Sequence, residues 1–99
     1  MHKIRLFAIC FIAPFLSSAQ ANMDDAVIST VKIKDHIHML QWQGAGNMMV
    51  LSGKDGNVLV DDQFAPLAKK INEAIQAINP GIVKYLFNTH YHGDHSGGN

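Results

Sequence analysis

Three imidazoles and one carboxylate fall within six positions, His90-Tyr91-His92-Gly93-Asp94-His95. Imidazole nitrogens and a carboxylate oxygen are the ligands that a borderline divalent metal prefers. Residues two apart on an extended segment point the same way, so His90 and His92 can reach one ion. Asp94 and His95 then need only a turn to face a second. Gly93, Gly97 and Gly98 let the backbone turn tightly around an ion, and a following helix is expected to begin near Ser96. Asn88-Thr89 leads into the motif directly from an apolar run, which places it where α/β proteins carry their sites, at the C-terminal end of a strand. A solvated histidine-rich loop is the plainer alternative.

The elements that must hold this loop can be read upstream. Val27 to Ile33 alternates β-branched residues with Ser29, Thr30 and Lys32, and Ile37 and Met39 continue the alternation, as half-buried strands do. Gly44 to Asn47 is a turn, Met48 to Leu51 a short strand, and Gly53 to Asn57 a second turn, so an antiparallel meander is expected. Val58-Leu59-Val60 is a buried strand that delivers Asp61 and Asp62 to its C-terminal end. From Pro66 the period changes, with Leu67, Ile71, Ala74, Ile75 and Ile78 on one face of an amphipathic helix that Asn79-Pro80-Gly81 ends. Ile82 to Phe87 is again a strand. Strand, helix, strand is a βαβ unit, so the two strands lie parallel and the fold class is α/β with an antiparallel start.

His90-x-His92-x-Asp94-His95 after a strand ending in Asn88-Thr89 resembles the metallo-β-lactamase-fold hydrolases, and Val58-Leu59-Val60-Asp61 resembles an earlier strand motif of that family. The resemblance implies the first αβ half of an αββα sandwich, with a metal site at one edge of its sheets. It implies two zinc ions, His90 and His92 binding the first and Asp94 and His95 the second, with iron or manganese as other occupants. Asp61 would hydrogen-bond the loop and orient its ligands; a helix-capping or turn carboxylate is the alternative for Asp61, and the favoured reading of Asp62. Asp94 would serve catalysis by orienting hydroxide or shuttling its proton. A histidine at position 95 brings the pattern nearer to the broad hydrolase majority and the all-histidine lactamase subclass, without selecting a substrate. The expected activity is hydrolysis of a small-molecule ester, thioester or lactam. A true β-lactamase, a thioester hydrolase or an iron-dependent oxygenase on the same scaffold are rivals, as is a short non-catalytic metal-binding or interaction module. Because the family draws further ligands from later in its chain, residues 22–99 are expected to be the N-terminal portion of such a domain, with a sheet face left uncovered.

Residues 1–21 have the layout of a secretory signal: Lys3 and Arg5, an apolar run from Leu6 to Leu16, and Ala19-Gln20-Ala21 as a cleavage site. Export to the periplasm or beyond is therefore expected, with no stable membrane anchor after cleavage. The single cysteine, Cys10, lies in that segment, so no disulfide staples the remainder, which needs a metal, a partner or more chain. Hydrophobic residues at 47% and charged residues at 16% argue against disorder. Losing Lys3 and Arg5 leaves six basic residues against eight acidic ones, a balance that disfavours nucleic-acid binding. His36-Ile37-His38 is a second His-x-His, but with no third ligand nearby it reads as an ordinary strand face. Trp42, Met48 and Met49 are expected to pack, with a substrate mouth as the alternative. Lys69, Lys70 and Glu73 read as the solvated face of the helix, Lys69 pairing with Glu73 at i, i+4.

Overall fold

The computed structural model describes residues 23–43 and 45–99. The expected signal segment and the Gly44 position of the first turn lie outside the described residues. Five strands form one sheet in chain order: β1 (Ser29–Lys34), β2 (Ile37–Trp42), β3 (Ala45–Gly53), β4 (Gly56–Val60) and β5 (Val83–Phe87). The first three pairings are antiparallel and the last, β4 with β5, is parallel, as a βαβ unit requires. Mixed α/β architecture with an antiparallel start is thus what the chain adopts.

Alternation along the strands decides which side chains are buried. Leu40, Met48, Val50 and Leu59 point to one face and are closed over by Leu67, Ile71 and Ile75. The last three belong to a 3₁₀ turn, Ala65–Leu67, and to α1 (Ala68–Ile78), whose buried residues are Ile71 and Ile75. Pro66 sits in the first turn, where its missing N–H costs nothing. Asn79 ends the helix in extended conformation, and Gly81 follows at φ 146°, a backbone state few residues but glycine adopt. Asn57 is fully buried and ties the start of β4 to this exit, donating through Nδ2 to the carbonyls of Asn79 (3.1 Å) and Gly81 (3.4 Å) and accepting from Asn79 Nδ2 at 2.9 Å.

Several expectations are corrected in detail. β3 begins at Ala45, so Gly46 and Asn47 belong to the strand, paired with β2, instead of to a turn. β1 begins at Ser29, and Val27 is 77% exposed. The helix near the motif, α2 (Gly93–Ser96), ends at Ser96 where one was expected to begin. Lys70 is not on the solvated face: its ammonium donates to the carbonyls of Met23, Asp24 and Ala26 and fastens the segment before β1 to α1. Lys69 and Glu73 do pair at 3.9 Å on the exposed side. His36 falls in the turn between β1 and β2, so it shares no strand face with His38.

The opposite face of the sheet is apolar too. Register aligns Val31, Met39, Met49, Val60 and Phe87 in one row across all five strands, and Ile37, Leu51, Val58 and Tyr85 in the next. Among the described residues no element covers these rows. No helix among the described residues is long and apolar enough to cross a membrane.

Candidate metal centre

β4 and β5 lie parallel and adjacent, so their C-terminal ends bring Asp61 beside the loop that follows Phe87. The Asp61 N–H still bonds the Phe87 carbonyl at 2.8 Å, the last rung of the sheet. Asp61 itself has φ 62° and Gln63 φ 60°. Left-handed backbone at residues other than glycine costs about 1–2 kcal/mol each, so contacts made by these side chains must hold the turn.

The Asp61 carboxylate, 4% exposed, accepts three hydrogen bonds: Oδ1 from the Thr89 N–H (2.7 Å), and Oδ2 from the Thr89 hydroxyl (2.8 Å) and from His95 Nδ1 (2.7 Å). Burial pushes this carboxyl up, but the Thr89 N–H, the His95 imidazole and the Thr89 hydroxyl together bring it below the ordinary carboxylate value. An ionised Asp61 only accepts, so His95 carries its proton on Nδ1 and presents a lone pair at Nε2. Thr89 gives its one hydroxyl proton to Asp61. Its oxygen, 2.8 Å from His90 Nδ1, therefore accepts from that nitrogen, and His90 also presents Nε2. One carboxylate thereby sets the tautomer of two imidazoles, one of them through a threonine.

His90, Asp94 and His95 each offer a ligand atom within 4.8 Å of the others. His95 Nε2 and Asp94 Oδ2 stand 3.4 Å apart. Both are acceptors in the neutral tautomer, and two ligands of one ion at zinc-like bond lengths lie roughly 3.3–3.6 Å apart in a tetrahedron. The donor set thus has the chemistry and spacing to take a cation. His92 stands beside this trio, its ring edge-on to His90 with centroids 4.7 Å apart, at the N-cap of α2. The chain leaves extended conformation there, which carries Asp94 and His95 back toward His90, whose ring centroid is 4.0 Å from that of His95.

The loop is stitched at several points. The His95 carbonyl accepts from Asn88 Nδ2 (2.8 Å) and the Asp62 N–H (3.1 Å), and Ser96 Oγ donates to the carbonyls of Tyr91 and His92. Asp62 is not a helix cap: the 3₁₀ turn has Phe64 at its N-cap without a side-chain bond. Instead Asp62 is 5% exposed, accepts from the Gly98 N–H at 3.2 Å, and has a buried Oδ2 with no partner. Burial pushes its carboxyl up; the Gly98 N–H opposes this and the charge of Asp61 adds to it, leaving it above the ordinary value. Gly97 and Gly98 lie so close to the Gln63 and Asp62 carbonyls that a Cβ would stand 2.8 Å from either.

Of the residues expected near the site, Met48 packs in the core, Met49 lies on the uncovered face, and Trp42 meets Phe64 edge-on at 6.4 Å. His38 has a buried Nδ1 without a partner and stands apart from the trio. Sequence reasoning missed Thr89 as a link and Gln63 as a buried residue. A polar pair, Asp62-Gln63, directly after a buried strand was the available signal for the latter.

Searches of curated proteins and of solved structures gave no match. Residues 42–99 match the sequence model of the Metallo-beta-lactamase superfamily, a span running from the end of β2 through the histidine loop. Matched over more than half its length, and carrying a His/Asp/His group at the end of a parallel strand, the chain belongs to the metallo-beta-lactamase superfamily.

Proposed function

We propose that the protein is an exported zinc-dependent hydrolase acting on a small molecule with an ester, thioester or lactam bond. The observation that carries this reading is the set of two imidazoles and one carboxylate that each bring a ligand atom within 4.8 Å of the others, both imidazoles being held by hydrogen bonds at Nδ1. Superfamily membership supports metal-dependent hydrolysis in general. Zinc, when bound, lowers the pKa of a coordinated water towards about 7 and polarises a carbonyl.

His90 and His92 would hold one zinc, and Asp94 and His95 a second. Asp61 would keep His95 and, through Thr89, His90 oriented for binding, by the hydrogen bonds its carboxylate makes to His95 and Thr89. Asp94 would also orient the attacking water or shuttle its proton. Export rests on the N-terminal layout of Lys3, Arg5, the apolar run and Ala19-Gln20-Ala21.

His92→Ala in the full-length protein is expected to abolish zinc-dependent turnover in a panel of ester, thioester and lactam substrates. Turnover at the unsubstituted rate in that variant would overturn the proposal.

A further inference from the structure

His95 is held at Nδ1 by Asp61, yet that bond leaves the ring free to swing about it. What stands against the other edge is the start of β3. A Cβ placed on Gly46 would lie 3.1 Å from both Cε1 and Nε2 of His95, tighter than ordinary van der Waals contact. Gly46 does not have left-handed backbone, so glycine is not required there by φ. A side chain there would press on the imidazole and on the Gln63 amide, whose Nε2 would lie 3.0 Å from the same Cβ.

Gly46 is in turn placed by Gln63. This side chain is fully buried, and its Nε2 donates both its protons, to the Ala45 carbonyl at 2.9 Å and to the Gly46 carbonyl. Two carbonyls demand a two-proton donor, which an amide nitrogen supplies and a carboxylate of the same shape does not. The left-handed turn at Gln63 aims the amide into this gap, and the same residue's main chain lies against Gly97 beyond α2. Gln63 therefore sits between the first residues of β3 and the histidine loop, touching both.

We propose that Gln63 is a positioning residue for His95, acting through Ala45 and Gly46, and that Gly46 is the wall that fixes the rotation of the His95 ring. The inference rests on His95 being a metal ligand for its purpose, but its geometry does not depend on the ion.

The test uses the full chain with Gly46→Ala and, separately, Gln63→Asn. Asparagine tolerates left-handed backbone, so this variant keeps the turn and shortens the reach of the amide. In the metal-free protein, the His95 side-chain nitrogen signals in NMR are expected to move in both variants while those of His36 and His38 stay in place. In a titration with Co2+ alone, both variants are expected to bind about tenfold more weakly, with an altered visible spectrum. Folded variants that keep the wild-type His95 signals would overturn the inference. Should the unsubstituted chain take up no Co2+, the metal reading fails, and the imidazole signals still decide this one.

Discussion

Asparagine at position 61 would keep the shape of the side chain and remove the charge to which His95 Nδ1 and the Thr89 hydroxyl both point. Outer partners of this kind change metal affinity by roughly 10–100-fold, and Asp61→Asn is expected to weaken zinc binding within that range in competition titrations. Thr89→Val removes the hydroxyl, and with it the bond to Asp61 Oδ2 and the link to His90, but leaves His95 on Asp61, so a smaller loss, about tenfold, is expected, and Thr89→Ser should restore binding. Acid acts on the two neighbouring carboxyls in opposite senses. The stability Asp61 contributes is fully present above its ordinary value of 3.8 and is lost as pH falls through its lower folded value. Asp62, raised in the fold, costs stability as pH rises through its folded value. Asp62→Asn, which removes this titration, should therefore gain stability relative to the parent as pH rises above the ordinary carboxylate range in urea unfolding, and the gain should disappear in acid. The histidine motif was legible because its residue types already name a chemistry, and Asp61 because Val58-Leu59-Val60-Asp61 resembles a strand motif of the family. Thr89 was not, because a threonine after a strand says nothing until the carboxylate 28 residues earlier is placed beside it.

Helix α1 covers the sheet with few side chains, so each counts. Ile75 is 1% exposed, and Ile75→Ala should cost about 3 kcal/mol in thermal or urea unfolding, where Glu73→Ala on the exposed side should cost under about 0.5. The helix, its stop at Asn79-Pro80-Gly81 and the parallel pairing could all be read from periodicity and punctuation. The start of β3 could not: Gly46 and Asn47 carry turn chemistry, and only the pairing of Asn47 with Gln41 and of Ala45 with Trp42, together with the buried Gln63 amide on the Ala45 and Gly46 carbonyls, makes this segment strand. The left-handed Asp61 and Gln63 had no glycine to announce them, and α2 is a single short turn enclosed by glycines.

Nine apolar side chains in two rows form the uncovered face of the sheet, with Met49 at 43%, Leu51 at 45%, Tyr85 at 59% and Phe87 at 57% exposure. A contiguous patch of this kind seeks cover. The 99-residue chain is expected to bind an apolar dye and to associate with rising concentration in sedimentation runs, and Met49→Lys with Phe87→Lys should suppress both. The spacing of contacts along the chain also sets an order of events. Two-residue turns join β1 to β2 and β3 to β4, so these pairs can zip by local steps, whereas the Asp61 carboxylate waits for partners 28 and 34 residues away. The histidine loop therefore closes after the meander, and its two imidazoles take up the hydrogen bonds that orient them only once β4 and β5 lie side by side.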